Sequence, residues 1–369
     1  MKYLTTIWTS IAILVLFLGI RILDPAIVEQ TRLNTFDQYI KTLPDKESDV
    51  VLINLGEETL AKYGQYPFPR HTYAQLISDL RNANAGMIAF TIMFPEEDRF
   101  GGDEVFISWV NNNGIILSQD ASSRGRSDAA PYVGTATLGE GDAYDFVPKY
   151  EGLVTNIPEL ETAAWGVGLI NAMPEIDNVT RRIPLLSQVN EELYPSFALE
   201  VIRTAVGDIS YQIKTNDIGI EWVRIPAYDK ISTLNDGTVY NTYWNKFKRV
   251  SIGDIRGENI SPGSILIVGP TFEGTNIVPT PVGAMYPHDI QANLVKTIID
   301  GTVITRPDYF LFVELVALVL LGLLALTSLT WLPSLTKNQT LGVSLSGMAN
   351  VGLILAVLFS SYYLFSCLL

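Results

Sequence analysis

The stretch from residue 50 to residue 98, VVLINLGEETLAKYGQYPFPRHTYAQLISDLRNANAGMIAFTIMFPEED, limits the fold more than any other part of the chain. Val50 to Leu55 is a short β-branched and apolar run, as a strand buried on both faces requires. Tyr66-Pro67-Phe68-Pro69-Arg70 follows. Each proline fixes its own φ and pushes the preceding residue into an extended conformation, so the segment is a stiff turn. The spacing predicts a helix from about His71, because Tyr73, Leu76, Ile77 and Leu80 fall on one apolar stripe. Gly86 ends it, and Met87 to Phe94 is a second apolar run. Strand, crossover helix and strand make a right-handed parallel unit, and apolar sequence in both strands implies a sheet covered on both faces.

The same alternation continues along the chain. Leu33 to Lys41 reads as a short amphipathic helix. Asp103 to Val110 reads as a helix capped by Asp103, and Ile115 to Leu117 as a third strand. Residues 119 to 164 are polar and rich in Gly, Ser, Asp and Ala, and predict an irregular excursion. Val167 to Asn171 and Arg182 to Gln188, on either side of a turn at Pro174 to Arg182, suggest a hairpin. Ser196 caps a helix through Val206, and Tyr211 to Trp244 reads as irregular β. Ser264 to Gly269 is a buried strand, and His288 to Asp300 a helix with Ile290, Leu294, Val295, Ile298 and Ile299 inward. The fold class is therefore α/β, a mainly parallel sheet with helices on both faces.

Charged residues make up only 17% of the chain, below the quarter usual for soluble domains, because both ends are nearly uncharged. Leu4 to Ile20 carries no charge and is about long enough to cross a bilayer; its flank offers no small-x-small cleavage site, which favours an uncleaved anchor. Tyr309 to Leu332 and Leu341 to Leu369 read as two further spans. Lys2 and Lys337 suit the cytoplasmic side. The expected organisation is an anchor over residues 1–23, an extracytoplasmic domain over 24–308, a span over 309–332, a cytoplasmic loop over 333–340 and a span over 341–369. The cytoplasm then sees too little chain for a catalytic domain. The single cysteine, Cys367, leaves the outer domain without a disulfide, and a net charge of −14 argues against nucleic acid as a partner.

No nucleotide-binding, nucleophile-elbow, zinc-protease or dithiol motif is present, so the chain is read as a non-enzyme with no cofactor and no metal. His71 and His288 stand at helix starts, where a helix dipole disfavours imidazolium; neutral capping or solvent exposure is expected of both. Arg70 follows a rigid segment and adjoins a helix N-terminus, where anions are favoured. Two readings compete for it: contact with a ligand, or a pair with a carboxylate such as Glu57 or Glu97 that pins the loop. Glu96 to Glu104 matches no calcium loop and reads as a solvated acidic loop. Asp177 with Arg181 and Arg182 reads as a hairpin charge cluster. Gly342, Ser346 and Asn350 lie on one face of the third span, and Glu314 lies near the start of the second. Such residues serve either internal packing or association with other membrane helices.

The order and spacing of GEETLAKYGQYPFPRHTYAQLISDL, MIAFTIMFPEED, VGLINAMPEIDNVTRRIPLL, YPSFALEVIRTAVG, ILIVGPT, PTPVGAMYP and IQANLVKTIIDG resemble the type-two CHASE domain, an extracytoplasmic sensory module of bacterial cyclases and kinases. The resemblance implies an inner-membrane protein with a periplasmic sensory domain. A small extracytoplasmic ligand would contact Pro67, Pro69, Arg70, Glu57, Asp177, Arg181 and Asn293, and partners would be reached through membrane helices: a cyclase, a kinase or a large membrane complex. The family's aspartates at Gly56 and Thr91 and its histidine at Gln291 are replaced here, which removes charge from the ends of two strands. Its cytoplasmic effector is not found in this sequence, and no catalytic activity carries over. The alternative is a structural or assembly subunit with a degenerate sensory fold.

Overall fold

The computed structural model describes residues 7–122, 134–243, 245–305, 309–335, 340–342, 344–352 and 355; within these, side chains are not described at 7–10, 13, 245, 310–311, 326 and 329–335. The helices used below are α1 (Ile7–Leu23), α2 (Ala26–Thr42), α3 (Glu57–Tyr63), α4 (Arg70–Asn82), α5 (Asp103–Asn112), α6 (Pro158–Ala163), α7 (Phe197–Val206), α8 (Pro287–Ile299) and α9 (Phe310–Leu335). The chain divides into an α/β unit, Leu43–Thr305, and a helical unit, Met1–Thr42 with Arg306–Leu369.

The α/β unit is built on one main sheet of β1 (Lys46–Leu55), β2 (Met87–Phe90), β3 (Ile115–Ser122), β4 (Gly152–Val154), β5 (Gly166–Leu169), β6 (Asn245–Ser251) and β7 (Ile265–Pro270). The order is β6-β1-β7-β2-β3, all parallel. The far side of β3 is shared by β5, parallel, and β4, antiparallel. Alternation dictates the layers. Val51, Ile53 and Leu55 face one way, Val50 and Leu52 the other, and none is more than 3% exposed.

On the first face, Leu76, Ile77 and Leu80 of α4, Phe106 and Val110 of α5, and Leu160 of α6 pack with Ile53, Phe90, Leu117 and Val268. The Pro-Phe-Pro turn drives Phe68 into this core. Tyr73 stands at its centre, with the rings of Phe68, Phe90, Phe94 and Phe106 between 5.0 and 6.2 Å away. On the other face, α7 and α8 cover Leu52, Ala89, Ile116 and Ile267. Of the expected inward residues of α8, Ile290, Leu294, Val295 and Ile298 are buried and Ile299 is half-buried; burial extends to every residue from His288 to Ile298, polar ones included.

Three local expectations are corrected. Asp103 does not cap α5: the capping position is Gly102, and the Asp103 carboxylate instead accepts from the backbone N–H of Asp98 at 2.6 Å. Val167 to Asn171 does not form a hairpin with Arg182 to Gln188. Gly166–Leu169 joins the main sheet beside β3, and Thr180–Pro184 runs antiparallel to Met173–Pro174 on one side and Thr238–Tyr240 on the other. The expected excursion is partly regular. β3 runs on to Ser122, and Gly134–Gly139 pairs in parallel with Ser210–Thr215, which with Ile220–Arg224 and Lys230–Ser232 makes a second sheet.

In the helical unit, α1 packs on α9. A Cβ at Gly322 would lie 2.5 Å from Leu14 Cδ1, so glycine permits the close approach. Arg21 Nε donates to Glu314 Oε2 at 2.9 Å, and its Nη2 bonds the same oxygen. Ser346 Oγ donates to Ser328 O at 2.9 Å and Asn350 Nδ2 to Ser328 Oγ at 2.9 Å. Judged on the described residues, no helix is long and apolar enough to cross a membrane, so the expected three-span anchor finds no support among them. The loop around Lys337 and Cys367 lie outside the described residues.

Candidate functional site

One transverse row of the main sheet is polar or small where its neighbours are aliphatic. Asn54 of β1 stands in register with Gly269 of β7 on one side and Ser251 of β6 on the other. Thr91 directly follows Phe90, which pairs with Val268 and Leu117. Ser118 of β3 is in register with Gly168 of β5. Alternation sends Asn54, Thr91 and Ser118 to the face covered by α7 and α8. This rung lies at the carboxyl ends of parallel strands, where open α/β sheets bind ligands.

The first turn of α8 roofs the rung. His288 is 0% exposed, and its Nε2 lies 3.1 Å from Asn54 Oδ1. A Cβ on Gly269 would lie 2.4 Å from the imidazole, so glycine is required beneath the ring. Gln291, 1% exposed, donates through Nε2 to Ile170 O at 3.3 Å. His288 Nδ1, Gln291 Oε1 and Ser118 Oγ are buried without a hydrogen-bond partner, and buried polar groups are normally paired. Asn156 fixes the neighbouring strand end: its Oδ1 accepts from Phe94 N at 2.9 Å, and its Nδ2 donates to Ser118 O at 3.0 Å and Glu161 Oε1 at 3.1 Å. Burial pushes the Glu161 carboxyl upward despite the bonds from Asn156.

Burial lowers the His288 pKa to about 4, with the Asp289 carboxylate opposing and the Arg249 guanidinium reinforcing the shift. The expectation of a neutral imidazole agrees with this; solvent exposure holds for His71 but not for His288. The unfolded chain, with a histidine pKa of about 6.5, binds a proton that the folded chain refuses. Stability from this group is therefore complete above pH 6.5 and lost as pH falls toward 4, by about 3 kcal/mol in all. Denaturant unfolding at pH 7 and pH 4.5 is expected to show a smaller acid loss for His288→Gln than for wild type; equal losses would contradict it.

Ser118→Ala removes a buried hydroxyl with no partner. It is expected to leave stability unchanged or raise it by about 1 kcal/mol. A thermal melt showing a loss would mean that a molecule bound in the rung completes that hydroxyl.

The residues singled out from sequence fall in different places. Arg70, 5% exposed, opens α4 after the half-buried Pro69 and the exposed Pro67. Its Nη2 donates to Glu96 O at 2.7 Å, its Nε lies 3.3 Å from Asp103 Oδ1, and its guanidinium carbon sits 4.6 Å over the Phe94 ring. The carboxylate opposite Arg70 is thus Asp103, not Glu57 or Glu97: Glu57 Oε1 accepts from Glu273 N at 2.7 Å. The acidic loop is ordered by the same turn. Asp98 accepts from the backbone N–H groups of Arg70, Gly102 and Phe100 at 3.0, 3.0 and 3.1 Å. Burial opposes its ionisation, but these donors outweigh burial and hold its carboxyl below the usual range.

Arg181, fully buried, donates to both oxygens of Asp177 at 2.9 and 2.7 Å. Asn293 Nδ2 donates to Asp289 O of its own helix at 2.9 Å. Thr91 and Gln291, two of the three positions where charge is lost, sit in the rung and its roof. Asn54, Ser118, Gly269 and His288 were not singled out for the site; the signal was a polar or small residue closing an aliphatic strand, as in VVLINL and ILIVG.

Among the described residues no group of three or more His, Cys, Asp or Glu is placed to hold a metal ion. An open groove of about 670 Å³ between α5 and α6, lined by Ile107, Asn111, Pro158 and Ala163 with Glu104 and Glu159, shows no such convergence of buried polar groups.

No curated protein and no solved structure matches the chain. The family profile described as CHASE2 domain matches residues 11–328, and it describes an extracellular sensory domain. With most of its length covered by that match, the chain belongs to the CHASE2 domain family.

Proposed function

We propose that this protein is a membrane-anchored sensory or interaction protein without catalysis of its own. Its α/β unit lies on the periplasmic side of a bacterial inner membrane, and it acts on other membrane proteins, such as a cyclase, a kinase or a larger complex, through its helices. The observation that carries the reading is the family match over residues 11–328. The uncharged stretch Leu4 to Ile20 and the sequence of α9 support the anchor. The Arg21–Glu314 pair supports it as well, since an acid in an apolar helix needs a partner. Ser346 and Asn350 bond Ser328 within the chain, so a partner helix would meet the aliphatic faces instead.

The sensory part of the reading is tested by thermal-shift measurement of the full chain in mild detergent against extracytoplasmic small molecules. A stabilising compound whose effect is lost on Gln291→Ala is the expected result. No shift with any compound would sink it.

A second reading, an assembly subunit, is favoured by the uncharged side chains of Thr91 in the rung and Gln291 in its roof, where the family resemblance has an aspartate and a histidine. It predicts recovery in fixed stoichiometry within a larger membrane assembly after mild detergent extraction. A free monomer or homodimer would exclude it.

A further inference from the structure

The two segments that lead out of the α/β unit run beside one cluster of four charges. The unit begins at Leu43, and β1 starts at Lys46; α8 stops at Ile299, and the unit ends at Thr305. Lys46 Nζ lies 2.6 Å from Asp300 Oδ2. Lys296 Nζ lies 2.9 Å from Asp300 Oδ1 and 3.1 Å from Asp49 Oδ1. The inner pair is sheltered, with Lys296 and Asp300 side chains 10% and 11% exposed, while Lys46 and Asp49 are 46% and 74% exposed. Beyond the cluster, Ile304 makes an antiparallel bridge to Tyr240.

Burial alone would favour neutral forms of the inner pair. Hydrogen bonds outweigh it: those from Lys296 to Asp300 and Asp49 raise the lysine, and those from Lys46 and Lys296 lower the aspartate. The cluster therefore stays charged across the neutral range, unlike a histidine switch. It also occupies the end of α8 opposite the rung. His288 in the first turn and Lys296 near the last lie eight residues, about 12 Å, apart along one continuous helix.

We propose that Lys46, Asp49, Lys296 and Asp300 form a latch that fixes the spacing between the two leads into the helical unit, with α8 as the rod joining the polar rung to the latch. A packed helix moves as a body, so a displacement of its first turn at the rung also moves Lys296 and Asp300. Charged partners suit release, because water takes up the exposed half of the cluster when it parts, whereas an apolar contact would resist parting. The sensory reading enters only in what displaces α8; the latch is a property of the unit itself.

The test uses the full chain in detergent with Cys367→Ser and spin labels at Pro44→Cys and Thr305→Cys, both exposed. Pulsed dipolar spectroscopy is expected to give one narrow distance distribution. Lys296→Met is expected to broaden it or shift its mean by about 5 Å, one helical turn, while Lys296→Arg keeps it. Far-UV dichroism establishes that each variant is folded. Should Lys296→Met fail to fold, Lys46→Met removes the exposed leg alone and is expected to broaden the distribution in the same sense. An unchanged distance in the folded charge-removal variant would overturn the latch. The outcome is independent of any ligand, so a fruitless ligand search would count against sensing and not against this device.

Discussion

Arg70→Ala is expected to destabilise the α/β unit by about 3 kcal/mol, the range for emptying one side of a sheltered ion pair. In a melt of the full chain this is a fall of roughly 5–10 °C. The guanidinium holds three things at once: the Glu96 carbonyl, the Asp103 carboxylate and the face of Phe94. Its backbone N–H donates to Asp98 as well, but that bond survives substitution. Arg70→Lys keeps the charge but not the planar fork, and should lie between wild type and alanine. An unchanged melting temperature for Arg70→Ala would contradict the structural role and reopen the ligand-contact reading.

A larger loss, about 4 kcal/mol, is expected for Arg181→Met. Arg181 is among the largest fully buried side chains, and its bidentate pair ties the strand Thr180–Pro184 to Asp177 in the turn that precedes it. Methionine leaves the Asp177 carboxylate without the guanidinium that holds its pKa below the ordinary value. Asp177→Leu with Arg181→Met removes both charges and should recover most of the loss, since a buried pair replaced as a whole is often close to neutral. If the double variant is as unstable as the single one, the loss comes from shape and not from the unpaired charge.

Two clues in the chain carried most of the architecture. Apolar runs at Val50–Leu55, Met87–Phe94 and Ser264–Gly269 pointed to strands buried on both faces, although the second strand ends at Phe90, and the stripe on α4 pointed to a crossover helix. Pairing was less legible. Val167–Leu169 has the composition of any short strand, and nothing in it says that its neighbour is β3 and not the later run at Thr180. Arg70 stood out only through its stiff surroundings; its partner depended on how the loop from Phe94 to Asp103 folds back, a long-range matter.

The rung was out of reach for a similar reason. Asn54, Thr91, Ser118 and Gly269 come from four strands, and only register places them in one row. The burial of His288 was out of reach because a helix start is usually at the surface; here α8 is covered from His288 to Ile298. The family resemblance marks Thr91 and Gln291 as positions where charge is lost, and the structure sets the first in the rung and the second in the helix that roofs it.

A sensory role requires the α/β unit to lie outside the inner membrane. A chain with Cys367→Ser and Glu151→Cys carries one exposed thiol in that unit. Treated with a membrane-impermeant maleimide in cells whose inner membrane is intact, it is expected to be labelled fully, with no gain on lysis. Labelling that appears only after the inner membrane is broken would place the unit in the cytosol and contradict the account.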